Sequence, residues 1–185
     1  MPTVNLYPNG DTTIPLQLPV CGIFPAAPPT HYDKVQTNDG DTTYVENDQN
    51  FVTEEDVYTI QTSGIPAGST INSVKIDSVC ARENIGGVFA NSMHNIIYTE
   101  STRMDYPHTI APGYHDYSDL LVLNPVTGLA WTLTEVNTLI IGLQLHSTVV
   151  GIRDTWGRCT QVYVTVDYTP LVTTKLRRLL VGEGL

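Results

Sequence analysis

Gln161-Val162-Tyr163-Val164-Thr165-Val166-Asp167-Tyr168-Thr169 is the stretch whose reading decides the fold. Val162, Val164, Val166 and Tyr168 fall on one face of an extended chain, and Gln161, Tyr163, Thr165 and Asp167 on the other. Successive side chains of a strand point to opposite faces. A period of two with one apolar and one polar face therefore predicts a half-buried strand of an antiparallel sheet. The same alternation runs through Thr70–Arg82, where Val74, Ile76, Ser78 and Cys80 oppose Ser73, Lys75, Asp77 and Val79. It returns in Leu139–His146, with Leu139, Ile141, Leu143 and Leu145 on one face.

Working outward, Thr3–Tyr7, Thr12–Leu18, Val57–Thr62, Asn95–Thr99 and Tyr117–Leu123 read as further strands. Pro8-Asn9-Gly10-Asp11, Gly64–Gly68, Gly86-Gly87 and Pro107–Gly113 read as turns or loops. Thr42–Val45 is a short β-prone island in an acidic segment. One helix is predicted, over 132–138. There Thr132-Leu133-Thr134-Glu135 matches a capping box, in which Thr132 caps the third amide and Glu135 reaches back. Trp131, just ahead of this cap, is expected in the core. The sum is an all-β fold: an antiparallel β-sandwich, jelly-roll-like, with about eight strands and one short helix near 132–138. Residues 1–169 are read as one sandwich domain, in which 1–30 form an extended, proline-rich N-terminal strap. Residues 170–185 are read as a C-terminal docking arm.

Composition agrees. Thr, Val and Ile supply 57 of the 185 residues, against 7 Ala, so β-branched residues suited to pleated sheets dominate. The formal net charge is -10, which excludes the basic face that nucleic-acid phosphates need. The charge is uneven. Residues 1–169 hold six basic and eighteen acidic groups, a net of -12, and residues 170–185 are +2. The arm interleaves Lys175, Arg177 and Arg178 with Leu171, Leu176, Leu179 and Leu180, a pattern that predicts contact with a protein partner. No membrane partner is expected, since the longest apolar runs, such as 139–143, are too short to span a bilayer. Met1–Asp11 has neither a basic nor an apolar leader segment, so no signal peptide is expected. Cys21, Cys80 and Cys159 are odd in number and widely spaced. They are expected to act as small buried apolar groups, with one long-range disulfide as the alternative.

Few motifs carry chemistry. No nucleophile elbow is present, and the five histidines show no metal-ligand spacing, so the chain is read as a non-enzyme. Asp39, Asp41, Glu46 and Asp48 place several hard oxygen ligands in one segment and form a candidate calcium site, although the spacing departs from an EF-hand loop. No other cofactor is expected. Trp156, in the loop Arg153–Arg158, is the candidate for stacking on a glycan.

A series of segments carries a resemblance. It comprises Asp39–Val45, Ile65–Val74, Ala81-Arg82, Asn124–Thr132 with Glu135-Val136-Asn137, and Cys159–Val164. In order and spacing it resembles small β-sandwich virion structural proteins of tailed bacteriophages, over roughly residues 30–169. The resemblance implies a structural part of a virion, made in the host cytoplasm. The part expected first is a capsid decoration protein that binds neighbouring subunits such as the major capsid protein, partly through its arm, and that forms homo-oligomers. The alternative is a tail- or neck-associated, glycan-binding host-attachment module. No catalytic residue is implied.

Overall fold

A computed structural model describes residues 1–12, 20–22, 30–47, 52–82, 92–146 and 157–172. The fold is an all-β sandwich of two antiparallel sheets, with eleven strands among the described residues. The strands are β1 (Thr3–Leu6), β2 (Pro8–Asp11), β3 (Val20–Gly22), β4 (Thr43–Glu46), β5 (Thr53–Ile60), β6 (Thr70–Arg82), β7 (Ser92–Thr99), β8 (Thr102–Thr109), β9 (His115–Leu121), β10 (Ile140–His146) and β11 (Gly157–Thr169). One sheet runs β3-β4-β11-β6-β9, with β1 also pairing β11, and the other runs β2-β5-β10-β7-β8.

The three alternating segments form the strands expected of them. Val162, Val164 and Val166 of β11, Val74, Ile76 and Cys80 of β6, and Ile141, Leu143 and Leu145 of β10 are all fully buried between the sheets. Trp131 is in the core, and its Nε1 donates to the Leu121 carbonyl at 3.0 Å. The helix α1 spans Leu133–Asn137 with both halves of its capping box formed. Burial works to raise the Glu135 pKa, but bonds from Thr132 and from the Asn124 amide outweigh it and hold the carboxyl below the usual Glu range.

One expected turn is a strand instead, and an expected loop, Pro107–Gly113, begins as one. Pro8–Asp11 is β2, which crosses from the first sheet to the second one residue after β1 and pairs with β5 through a bulge. Thr102–Thr109 is β8, although it contains Pro107. It forms the edge of its sheet, where a residue without an N–H is tolerated. The candidate strand at 12–18 lies, apart from Thr12, outside the described residues.

Cys80 and Cys159 face each other across β6 and β11 as free, buried thiols. Burial, with the neighbouring Cys80, pushes the Cys159 thiol well up, so Cys159 stays protonated and apolar. In a Cys21→Ser variant, neither remaining thiol should react with a thiol reagent until denaturant is added. Reaction of the native protein would place a thiol at the surface.

The β7–β8 hairpin has a two-residue turn in which Glu100 (φ 51°) and Ser101 (φ 64°) both occupy the left-handed region. That geometry matches the right-handed twist of the strands but favours Asn-Gly, and ordinary residues there cost about 1–2 kcal/mol each. Replacing Glu100→Asn together with Ser101→Gly should stabilise the fold by about 1–2 kcal/mol, seen as a Tm rise of about 2–8 °C. At Gly142 of β10 a Cβ would meet the Asp56 carbonyl at 2.1 Å and Val57 Cγ1 at 2.7 Å. Gly142→Ala should therefore cost about 1–3 kcal/mol in urea unfolding.

Candidate outer-face binding site

The polar groups divide between the sandwich interior and the two outer faces. Inside, Asp56 of β5 has 0% exposure and takes His31 Nδ1 and, at 3.1 Å, the Tyr58 hydroxyl on one oxygen. Burial, with Asp56 alongside, pushes the Tyr58 pKa well up, so its hydroxyl remains a donor. Asp11 accepts the backbone amides of His31 (3.2 Å) and Tyr32 (2.8 Å). A carboxylate with no exposed surface cannot meet a substrate. This group ties residues 31–32 to β2 and β5.

The acidic segment is also engaged with protein donors. Asp39 accepts from the Thr43 amide (3.1 Å), the Thr43 hydroxyl (2.8 Å) and the Thr160 hydroxyl (3.0 Å), which pins the start of β4 to β11. Asp41 accepts from Tyr114 at 2.9 Å and from Arg158 at 3.2 Å. Glu46 accepts from Arg158 Nε at 3.0 Å. The Arg158 guanidinium also lies 4.6 Å over the Tyr44 ring. Among the described residues no group of three His, Cys, Asp or Glu is arranged to hold a metal ion. Asp48, the fourth member of the candidate calcium set, lies outside the described residues. So do Trp156 and Lys175, Leu176, Arg177, Arg178, Leu179 and Leu180. Leu171 is described and exposed.

The face that gathers functional groups is the outer side of the five-stranded sheet. Strand register puts Glu55, Gln144, His94 and Pro107 in one row across β5, β10, β7 and β8. Val57, Gly142, Ile96 and Asp105 form the next row, and Thr59, Ile140, Tyr98 and Arg103 the third. Arg103 donates through Nε and Nη2 to Asp105 at 2.8–3.0 Å, and through Nη1 to Glu55 at 2.5 Å. Gln144 donates to the same Glu55 oxygen at 3.3 Å. These contacts, led by Asp105, push the Arg103 pKa further up, so the group is a permanent cation held from two sides.

Arg103 and Glu55 stand on strands separated by two others, with backbones about 14 Å apart at ordinary strand spacing. To touch, both side chains lie along the sheet, over the row of Val57, Gly142 and Ile96, which is buried although it faces outward. Beside Arg103 the surface dips into a groove of about 340 Å³, lined by Tyr98, Ile140, Thr138, Glu100 and Ser101. The strained hairpin turn is one wall of this groove.

Sequence reading missed this face. Its members are spread from Glu55 to Gln144. The available signal was the alternation within 53–60 and 102–109, which puts Glu55, Arg103 and Asp105 on solvent-facing positions.

No protein-family model matches the chain, and no curated protein matches it. Among solved structures, one similar fold is the carbohydrate-binding module TmCBM61 in complex with beta-1,4-galactotriose. It shows 8% identity and a TM-score of 0.40, over 70% of this chain and 73% of that one. Another is the enzymatically active domain of bacteriophage CBA120 tailspike protein 4, with 11% identity and a TM-score of 0.42 over 88% of this chain. The matched part is 19% of that chain, about a fifth of its length.

Proposed function

We propose that the chain is a non-enzymatic, glycan-binding β-sandwich of a tailed-phage virion, and that the outer face of the five-stranded sheet contacts the sugar. The observation that carries this reading is the groove beside Arg103. A pyranose offers an apolar C–H face and a rim of hydroxyls. Tyr98 and Ile140 supply apolar surface for the first, and Glu100, Ser101 and Thr138 supply polar groups for the second. Its volume of about 340 Å³ lies at the small end of ligand pockets, about 300–1,000 Å³. It therefore suits a short glycan segment. Arg103 stands opposite the lining residue Tyr98 and is already oriented by Asp105, so little side-chain freedom is lost when a hydroxyl replaces water.

The charge on this face selects among sugars. Among the described residues, Glu55, Asp105 and Glu100 oppose the single guanidinium of Arg103, which is shared by two of them. The balance disfavours carboxylated sugars and favours neutral ones. The virion assignment rests on the sequence resemblance, and capsid decoration is the other place in a particle that it implies.

A glycan array probed with the full chain should return neutral oligosaccharides. Tyr98→Ala should weaken that binding at least tenfold while leaving Tm within a few degrees, and the bound sugar should be recovered uncleaved. A blank array would sink the reading. So would a Tyr98→Ala protein that binds as well as its parent. Loss of binding on Trp156→Ala alone would move the site to residues 153–156.

A further inference from the structure

One end of the sandwich gathers almost all the exposed large apolar side chains. Seven of the eight among the described residues lie there, Val52 being the exception. Leu120 closes the outer face of β9, and Val122, Leu123 and Leu129 follow in the connection to α1. Thr169, at the end of β11, stands opposite Thr70, and Leu121, at the end of β9, stands opposite Val74, so both strands finish at the start of β6. The chain leaves β11 at this same end. Leu171 packs on the turn before β6, where a Cβ at Gly68 would meet Leu171 Cδ2 at 3.0 Å. The exit therefore lies at the start of β6, the strand between β11 and β9.

Residues 173–185 lie outside the described residues. The charge split predicts a protein partner for them, and the exit geometry offers one within the same chain. Two strand spacings, about 10 Å, separate β11 from β9, whereas thirteen extended residues reach roughly 43–47 Å. The surface also carries the opposite charge. Asp116 is exposed on β9. Asp167 lines a groove of about 280 Å³ together with Leu120, Met1 and Lys75, the last paired with Asp77 at 2.8 Å, and its buried Oδ1 has no hydrogen-bond donor among the described residues. We propose that residues 173–185 dock across Leu120, Val122, Leu123 and Leu129 of their own chain, their leucines covering this strip and their basic groups meeting Asp116 and Asp167. A tether this short makes the contact intramolecular at high effective concentration.

Lys175, Arg177 and Arg178 are trypsin sites within the arm, so limited proteolysis reads the docking directly. In the full chain, cleavage there should be slow and independent of protein concentration. A Leu120→Asp, Val122→Asp double variant should be cut at least tenfold faster with an unchanged Tm, and the milder Leu120→Ser should fall between the two. Equal cleavage rates in parent and variants would overturn the proposal. Protection that grows with protein concentration, together with a dimer mass in light scattering, would also overturn it by placing the arm on a second copy.

Discussion

The pairing of β6 with β11 is the constraint on which the rest of the sandwich depends. Each strand has thirteen residues, and they pair along nearly their whole length, from Gly157 opposite Arg82 to Thr169 opposite Thr70. Because β11 is so long, its other edge can hold two short strands end to end. β4 sits against Arg158 and Cys159, and β1 against Val164 to Asp167. The N-terminal segment and the acidic segment, far apart in sequence, are thereby fixed on one strand. Bulges after Cys159 and Asp167 shift the register, so that the inward valines stay over the core while both ends of the strand still pair. Long-range pairing of this kind closes large loops before it is rewarded, which makes for slow folding.

Much of this frame was legible because β6, β10 and β11 repeat with a period of two, and a one-residue slip would turn every buried valine to solvent. The capping box of α1 was legible for a different reason: all of its bonds lie within four residues. What failed was local punctuation. Pro8-Asn9-Gly10-Asp11 has turn composition, yet β5 takes it as a bulged edge partner. Pro107 suggested a loop, but an edge strand has one side without a neighbour and does not need that N–H. In both places tertiary pairing overrode propensity.

The site was illegible for a related reason. Glu55 and Arg103 are 48 residues apart and meet only because β7 and β10 lie between their strands. Asp39, Asp41 and Glu46 are close in sequence and look like one ligand set, but Asp39 takes Thr43 and Thr160, whereas Asp41 and Glu46 share Arg158 of β11, with Tyr114 also on Asp41. Asp39 precedes a tight turn that holds Asp41, and Glu46 ends β4, so closeness in sequence does not bring all three carboxylates to one point.

The net charge of -10 takes on a different meaning once the acids are located. Glu46, Glu54, Asp56 and Asp77 are buried. With only nine Lys and Arg available, the acids draw many of their donors from neutral groups and histidine: Ser118 and Thr165 for Asp77, Asn95 and His108 for Asp119, Tyr58 and His31 for Asp56. Some of these carboxylates tie segments that strand pairing does not join. Asp119 of β9, for example, takes donors from β7 and β8 in the opposite sheet. A hydrogen bond to a charged acceptor is worth about 1.5–3 kcal/mol, more than one between neutral groups, so a few such ties can hold the open side of a sandwich. The same economy shapes the outer face. Arg103 is held from both sides by Asp105 and Glu55, which fixes polar groups on paired strands and not on a loop. Groups fixed in that way lose little freedom when a partner arrives, and rigidity gained for the fold becomes preorganisation for binding.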